Sequence, residues 1–144
     1  MPALFAKRNR VRIELPRRGT LTLAEVQVLS DGRNIAPKGT AKQSSVSNGG
    51  EASKAIDGRT NGDFASGTQT HTTENESKPW WELDLGSEQP IDSVVVWNRT
   101  EGDLGKRLEG FTLTVLDSGR AEVFKKTGNA APPASATIAI GGDP

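Results

Sequence analysis

Residues 79–85 carry the sequence PWWELDL, in which large apolar side chains alternate with carboxylates. Successive side chains of a β-strand point to opposite faces. The stretch therefore predicts a strand that groups its apolar residues on one face: Trp81, Leu83 and Leu85. The two carboxylates share the other face, at Glu82 and Asp84. We expect the apolar face to pack in a core and the acidic face to meet solvent.

Short apolar runs of the same period continue on both sides of this strand, separated by turn residues. The pattern favours strands over helices and predicts an all-β domain, a β-sandwich or jelly roll. The predicted strands are residues 11–15, 21–28, 80–85, 93–97, 110–116, 122–125 and 136–140, with at most one helical turn at 51–56. We expect a single domain over residues 9–140, with flexible ends at 1–8 and 141–144.

The composition excludes several classes of function. The 144 residues carry 18 basic and 18 acidic side chains, so the charge footprint that nucleic acids or anionic membranes normally need is missing. No apolar run approaches the roughly 20 residues of a membrane span, and we expect no membrane insertion. The absence of cysteine removes thiol catalysis and cysteine-ligated zinc, and one histidine cannot form a multi-histidine metal site.

The motifs of common hydrolases and phosphate-binding enzymes are also missing, including the Gly-x-Ser-x-Gly elbow and the Gly-x-x-x-x-Gly-Lys loop. Glu82 and Asp84 are the most suggestive carboxylate pair for a glycosidase. Because both lie on the predicted polar face of one strand, we expect them to be solvent-exposed rather than catalytic. We therefore expect that the protein is not an enzyme.

Residues 40–75 are rich in Ser, Thr, Gly and Asn and form a block long enough for a functional loop. Within this block Asp57 stands beside Gly58, and Thr68 follows eleven residues after Asp57. Calcium prefers oxygen ligands from carboxylates, hydroxyls and backbone carbonyls, so the loop could wrap such an ion. An ordinary Asp-Gly turn explains the same residues, and the pattern leaves both readings open.

The predicted strand 21–28 breaks its own alternation, because its apolar residues change face between Leu23 and Ala24. A β-bulge there would account for the break, and bulges often re-aim a side chain near a site. Glu25 is the side chain that such a bulge would redirect. An exposed carboxylate on an ordinary strand is the alternative.

Three separated polar residues have the chemistry of a sugar pocket: His71, Arg99 and Arg107. A predicted strand ending at Trp97 leads Arg99 into a glycine-containing loop, and Arg107 leaves that loop toward the next strand. An imidazole and two guanidiniums that converged at one rim would offer many donors to hydroxyl oxygens, since arginine presents a rigid fork of N–H groups. Taken singly, each residue is better explained as a surface or loop polar side chain.

The order of these segments resembles the fucolectin family, whose fucose-binding lectin domains belong to the discoidin-like, coagulation factor V/VIII C-type superfamily of galactose-binding β-sandwiches. The likeness covers nearly the whole chain. Residues 34–45 resemble the opening strand of that family, and residues 55–58 resemble its calcium loop. The sugar-binding signature of the family matches His71-Thr72, the PWWELDL strand, Asn98-Arg99 and Gly105-Lys106-Arg107.

In that family the histidine and the two arginines contact the axial hydroxyl, the ring oxygen and a neighbouring hydroxyl of fucose. The resemblance implies these roles for His71, Arg99 and Arg107, in a pocket for L-fucose or a sugar of similar hydroxyl geometry such as galactose. It also implies a structural calcium ion. The implied ligands are the carbonyls of Ala24, Lys54 and Arg59 and the side chains of Glu25, Asp57 and Thr68.

The chain departs from the family in two respects. The segment matching residues 21–26 closes the fucolectin domain at its C-terminal end but lies near the start here, which implies a circular permutation. A segment that spans parts of two successive repeats is the alternative. The adjacent cysteine pair that packs on the sugar is missing, and Ala65 replaces a frequent aromatic residue, so apolar packing around the sugar is reduced.

These observations predict a non-catalytic, calcium-stabilised carbohydrate-binding module. We expect it to be monomeric by itself and to be one part of a larger extracellular or periplasmic protein that acts on glycans. The alternative is a structural or protein-interaction β-sandwich that keeps the calcium site but binds no sugar. Binding of fucose- or galactose-containing glycans separates the two.

Overall fold

The computed structural model of the protein describes residues 8–58, 69–100 and 103–140. Within these ranges the chain forms short 3₁₀ helices at Ala36–Lys38, Ala52–Ile56 and Leu104–Leu108. The strands are β1 (Arg10–Glu14), β2 (Arg18–Gly19), β3 (Glu25–Ser30), β4 (Arg33–Asn34), β5 (Thr40–Gln43), β6 (Glu76–Ser77), β7 (Trp80–Asp84), β8 (Ser93–Trp97), β9 (Phe111–Leu116), β10 (Glu122–Asn129) and β11 (Ser135–Ala139).

The strands build two main antiparallel sheets. One has the order β10-β9-β1-β7-β5, and the other has the order β11-β8-β3-β4, while β2 and β6 form a small separate pair. The core lies between the two main sheets. Buried side chains alternate with more exposed ones along β1 and β7, as at Val11 and Ile13, whereas every residue of β9 is buried. The predicted all-β sandwich is confirmed.

The strand that decided the prediction has the expected orientation. Trp81 and Leu83 are fully buried, Leu85 nearly so, and the ring of Trp81 donates its Nε1–H to the carbonyl of Ala52 at 3.0 Å. That hydrogen bond fastens the 3₁₀ helix Ala52–Ile56 to the five-stranded sheet. The helical turn predicted at residues 51–56 is therefore present, and it is part of the packing.

The acidic face of β7 differs from the prediction in one respect. The side chain of Asp84 is 44% exposed, but that of Glu82 is only 14% exposed because Arg12 and Arg120 hydrogen-bond to it at 2.9–3.0 Å. The hydrogen bonds from Arg120 and Arg12 hold the pKa of Glu82 below its usual range. A carboxylate clamped by guanidiniums in its charged form is a poor general acid, so this part of the sheet favours a structural role for Glu82.

The predicted strand 21–28 is wrong in its first half. Residues 21–23 do not belong to β3; they run beside residues 70–72, where the hydroxyls of Thr70 and Thr72 accept the N–H groups of Leu23 and Leu21, each at 2.9 Å. At Ala24 the chain changes partner and donates its N–H to Trp97 of β8. The register of β3 with β8 is regular, so a change of partner, rather than the predicted bulge, breaks the alternation.

Smaller differences concern strand ends. β10 continues to Asn129, four residues beyond the predicted end, and β5 falls in a segment predicted only from the family resemblance. Arg8, assigned to the flexible N-terminal end, is buried and its side chain donates to the carbonyl of Ile91. Residues 1–7 and 141–144 lie outside the described residues.

Candidate functional site

His71 lies in an extended segment that is hydrogen-bonded on both sides. Its neighbours Thr70 and Thr72 donate their N–H groups to the carbonyls of Leu23 and Leu21 at 2.9 and 3.1 Å. The backbone of His71 itself pairs with the loop that follows β5, through Gly50 and Ser47, both at 2.9 Å. The imidazole is therefore held at a fixed place in the rim of the sandwich, with 2% of the residue exposed.

The loop beside His71 is built for close approach. A Cβ placed on Gly50 would lie 2.3 Å from the backbone nitrogen of His71, so a side chain larger than hydrogen does not fit there. The amide of Gln43, at the end of β5, donates to the carbonyls of Ser45 and Gly50 at 2.8 Å and fixes the curve of the loop. Sequence analysis did not assign these two residues, because their roles depend on contacts across the loop.

The ring of His71 has a defined tautomer. Its Nδ1 lies 2.7 Å from the carbonyl oxygen of Thr72, and because a carbonyl only accepts, Nδ1 carries the proton. Burial lowers the pKa of His71 below its ordinary value of 6.5, and the positive charges of Arg107 and Arg99 lower it further, against the opposing effects of the Thr72 hydrogen bond and Glu74. The neutral ring therefore presents Nε2 as an acceptor.

Arg107 and Glu74 stand next to that acceptor. Nη1 of Arg107 lies 3.5 Å from Nε2 of His71, and Nη2 of Arg107 lies 3.7 Å from Oε2 of Glu74. Glu74 is 59% exposed, so it marks the solvent side of the cluster. Arg107 belongs to the 3₁₀ helix Leu104–Leu108, whose end is fastened by Arg17 donating to the carbonyls of Arg107 and Glu109 at 3.1 and 2.6 Å.

Asn98 brings Arg99 to the same rim. The side-chain oxygen of Asn98 accepts the N–H of Arg99 at 2.8 Å, while its amide donates to the carbonyls of Gly105 and Pro132, both at 2.9 Å. One buried amide thus ties the end of β8, the loop to Arg107 and the turn before β11 together. Arg99 is itself 9% exposed, and its charge acts on the pKa of His71.

The structure therefore brings His71, Arg99 and Arg107 together, and their role in sugar binding stays a prediction. They form a small polar group with one acceptor and several charged donors. Asn98 is part of the predicted signature, but the sequence analysis did not predict its role as the anchor of Arg99. The signal that could have found it is its position directly after a buried strand, where an amide commonly bonds to loop backbone.

A second polar centre lies where the start of β3 meets the 3₁₀ helix Ala52–Ile56. Glu25 is completely buried, which overturns the reading as an exposed carboxylate, and its Oε2 accepts the N–H of Gly58 at 2.8 Å. Its Oε1 has no hydrogen-bond partner within the part of the chain that is described. Burial raises the pKa of Glu25 to about 8; Asp57 adds to the rise, and the Gly58 hydrogen bond opposes it.

The other predicted calcium ligands are only partly described. Ala24 is buried beside Glu25, and Lys54 and Asp57 belong to the helix and its C-terminal end, so these residues approach one another. Arg59 and Thr68 lie outside the described residues. In the described ranges, no group of three or more His, Cys, Asp or Glu residues could hold a metal ion. A calcium site there would depend on backbone and hydroxyl oxygens.

Fold and site together define a galactose-binding-domain-like β-sandwich with a polar group of one imidazole and two guanidiniums at one rim. A family model described as the NedA-like, galactose-binding domain of F5/F8 type C matches residues 54–142. The chain belongs to this family.

Individual relatives agree with the family. Fucolectin-1 of Anguilla japonica is 36% identical over 105 residues, which cover 69% of this chain and 57% of that protein; this chain spans about half the length of the curated relatives that it matches. A Streptococcus pneumoniae fucose binding module superposes with a TM-score of 0.70 at 35% identity, covering 80% of this chain and 81% of the other.

Two further structures extend the comparison. The lectin domain of Lectinolysin, solved with Lewis B antigen, gives a TM-score of 0.72 at 30% identity over 77% of this chain and 78% of that chain. An F-lectin from Morone saxatilis serum, at 19% identity, covers 96% of this chain and 70% of its own with a TM-score of 0.65, and shows the fold alone. None of the helices in the described ranges has the length and apolar character that crossing a membrane requires.

Proposed function

We propose that this domain is a non-catalytic carbohydrate-binding module that captures L-fucose, or a galactose-type sugar of similar hydroxyl geometry. The observation that carries the proposal is the convergence of one neutral imidazole and two guanidiniums at a single rim, at His71, Arg107 and Arg99. The relatives that share the fold at 30% identity or more, a fucose binding module and a lectin domain solved with Lewis B antigen, support the same ligand class.

The pocket would act by hydrogen bonding alone. Nε2 of His71 accepts a hydrogen bond from one sugar hydroxyl, and the guanidiniums of Arg99 and Arg107 donate to the neighbouring oxygens. Hydrogen bonds to charged donors are stronger than those between neutral groups. A monosaccharide in a shallow site retains little net free energy of binding, so we expect a Kd of about 0.1–1 mM for one site. Linkage to other binding sites would raise the effective affinity.

Loss of either arginine provides the direct test. Arg99→Ala or Arg107→Ala is expected to weaken binding of fucose at least about tenfold, since a hydrogen bond to a charged group is worth about 1.5–3 kcal/mol. Titrations with fucose, galactose and glucose, monitored by calorimetry and by NMR chemical shifts, give the Kd of each variant for each sugar. Arg33→Ala is the matched control, because Arg33 is exposed on the edge strand β4, at the end of the sheet opposite Arg99.

The same titration distinguishes a carbohydrate-binding module from a β-sandwich that binds no sugar. If the wild type and both arginine variants bind every sugar with equal affinity, or bind none, the domain is a structural or protein-interaction β-sandwich and the sugar proposal fails. The reduced apolar packing favours that alternative, whereas the converging polar group opposes it. The choice between fucose and galactose follows from the ratio of the two affinities in the wild type.

The tautomer of His71 predicts a pH dependence of sugar binding. Protonation would convert Nε2 from an acceptor into a donor next to Arg99 and Arg107, with Glu74 as the facing carboxylate. Because the pKa of His71 is lowered from 6.5, binding should have its full strength at pH 7.5 and should weaken only as the pH falls below 6.5. Calorimetry at pH 7.5 and pH 5.5 measures this, and NMR of this sole histidine follows its protonation directly. Unchanged affinity while the ring titrates would refute the acceptor role.

We also propose that a calcium ion stabilises the junction of β3 with the 3₁₀ helix Ala52–Ile56. A buried carboxylate whose Oε1 has no donor among the described residues, next to a second carboxylate, fits a hard cation with oxygen ligands. The residues that would hold the ion are those of the predicted ligand set: Ala24, Glu25, Lys54, Asp57, Arg59 and Thr68. The ion would serve stability, by neutralising the charge of Glu25 and Asp57.

Calcium is accordingly expected to raise the Tm by several degrees over its value in chelator, because a ligand that binds only the native state stabilises it. Glu25→Gln and Asp57→Asn should abolish this response, and Asp117→Asn, at the exposed β9–β10 turn, should retain it. Differential scanning calorimetry with calcium and with EGTA gives the shifts. Identical Tm values for the wild type in both buffers, with no calcium in the purified protein, would contradict the site.

We further propose that the strand order is circularly permuted and that the domain is a monomeric part of a larger extracellular or periplasmic protein that acts on glycans. The family model begins at residue 54, yet β1 and β3 lie inside the two sheets rather than at their edges. Both ends of the described chain also lie beside the same short segment, residues 89–92. The backbone N–H of Gln89 donates to the carbonyl of Arg8 at 2.7 Å, and the backbone N–H of Ile140 donates to the carbonyl of Asp92 at 3.0 Å. Adjacent termini make a permutation structurally inexpensive.

A further inference from the structure

A second cavity adjoins the sugar pocket on the side of Arg99. It measures about 190 Å³ and lies between the loop after β8 and the turn before β11. Its walls include Arg99, Thr100, Lys106, Ala131, Pro132 and Pro133. We call this cavity the proline cleft. Arg99 belongs to both the cleft and the polar group around His71, so the two sites are continuous.

The proline cleft is preformed. The amide of Asn98 holds the carbonyl of Pro132 on one side and that of Gly105 on the other, both at 2.9 Å. Ala131 is fixed in turn by its N–H, which donates to the carboxylate of Glu109 at 2.9 Å. Both walls are therefore held by Asn98, the side chain that also positions Arg99. Binding of a ligand would lose little free energy to ordering of the walls.

The lining has the mixed character that a sugar ring requires. Ala131 and the two proline rings form an apolar wall for the C–H face of a pyranose. Lys106 and Asp103 also line the cleft, with Nζ of Lys106 3.8 Å from Oδ1 of Asp103. Both side chains are more than 80% exposed, so sugar hydroxyls can replace the water molecules around them. Asp103 offsets the charge of Lys106, and Arg99 leaves the lining with one net positive charge.

We propose that the proline cleft binds the second residue of a glycan, a hexose linked to the sugar that occupies the pocket of His71, Arg99 and Arg107. This inference rests on the proposed function. The ligand is then the terminal two sugars of a glycan, and the cleft adds a site that discriminates between glycans. The Pro132-Pro133 turn then selects the linkage, because only some linkages direct the second ring from Arg99 toward the proline wall.

The test compares one sugar with two. The probes are methyl α-L-fucoside and the α1,2-, α1,3- and α1,4-linked fucosyl hexose disaccharides, titrated by calorimetry or NMR. At least one disaccharide should bind three- to tenfold more tightly than the methyl fucoside. The double variant Pro133→Ala/Lys106→Ala should remove that gain while its affinity for the methyl fucoside stays within about twofold.

A matched control uses another exposed proline. Pro90→Ala lies before the start of β8, at the end opposite Arg99, and should keep the full gain. Equal affinity of the wild type for the fucoside and all three disaccharides would overturn the cleft and leave the sugar pocket standing. A gain that survives in the double variant would also overturn it. A wild type that binds no fucoside would refute the pocket itself, and the cleft with it.

Discussion

A chain that lacks residues 1–29 is expected not to fold. The deletion removes β1, which pairs with β7 and β9 inside the five-stranded sheet, and β3, which pairs with β8 and β4 inside the other. It also removes a large share of the core, namely Val11, Ile13, Leu15, Leu21, Leu23, Val26 and Val28. β7, β8 and β9 would each lose one neighbour, and β4 and β6 would lose the one they have. The exposed edges would favour aggregation.

Circular dichroism, size-exclusion chromatography and thermal melting measure this result, with removal of residues 1–7 alone as the control that should fold. A second chain tests the permutation itself: residues 31–140 followed by a short linker and residues 8–30. It should fold and bind like the parent, because the two ends already meet near Gln89 and Asp92. If the truncated chain is monomeric and melts like the full one, residues 1–29 are the remnant of a neighbouring repeat.

The second large effect concerns two adjacent tryptophans. Trp81→Ala is expected to cost about 3–5 kcal/mol of unfolding free energy, since it opens a cavity in a fully packed core and removes the hydrogen bond to Ala52. For a small domain that is a large part of the total stability. The variant should be largely unfolded at physiological temperature, and any loss of sugar binding would follow from unfolding.

Trp80→Ala is the matched control, because it removes the same side chain one residue earlier. Trp80 lies on the outer face of β7, half-buried, with the guanidinium of Arg12 4.6 Å from its ring centroid. An exposed cation–π contact is worth about 0.5–1 kcal/mol, so this variant should stay folded. Urea denaturation curves of both variants give the difference. Equal destabilisation would show that the alternation along β7 does not decide burial.

The sequence by itself determined the features that depend on neighbours along the chain. The period-two alternation in residues 80–84 assigned Trp81 and Leu83 to the core, because adjacent side chains in a strand necessarily face opposite ways. The order of the motifs, through their resemblance to a known family, pointed to His71, Arg99 and Arg107. These three residues are far apart in sequence, and their convergence rested on that resemblance and on no local rule.

Only the tertiary structure decided the features that depend on partners far along the chain. Residues 21–23 leave the strand because Thr70 and Thr72 supply hydroxyls to their N–H groups. Glu25 is buried because the loop at Gly58 closes over it. The acceptor role of His71 follows from a carbonyl at Nδ1 and two guanidiniums nearby. These hydrogen-bond partners, and the burial of polar groups such as Glu25, are set by packing between sheets and loops. Local alternation carries no record of them.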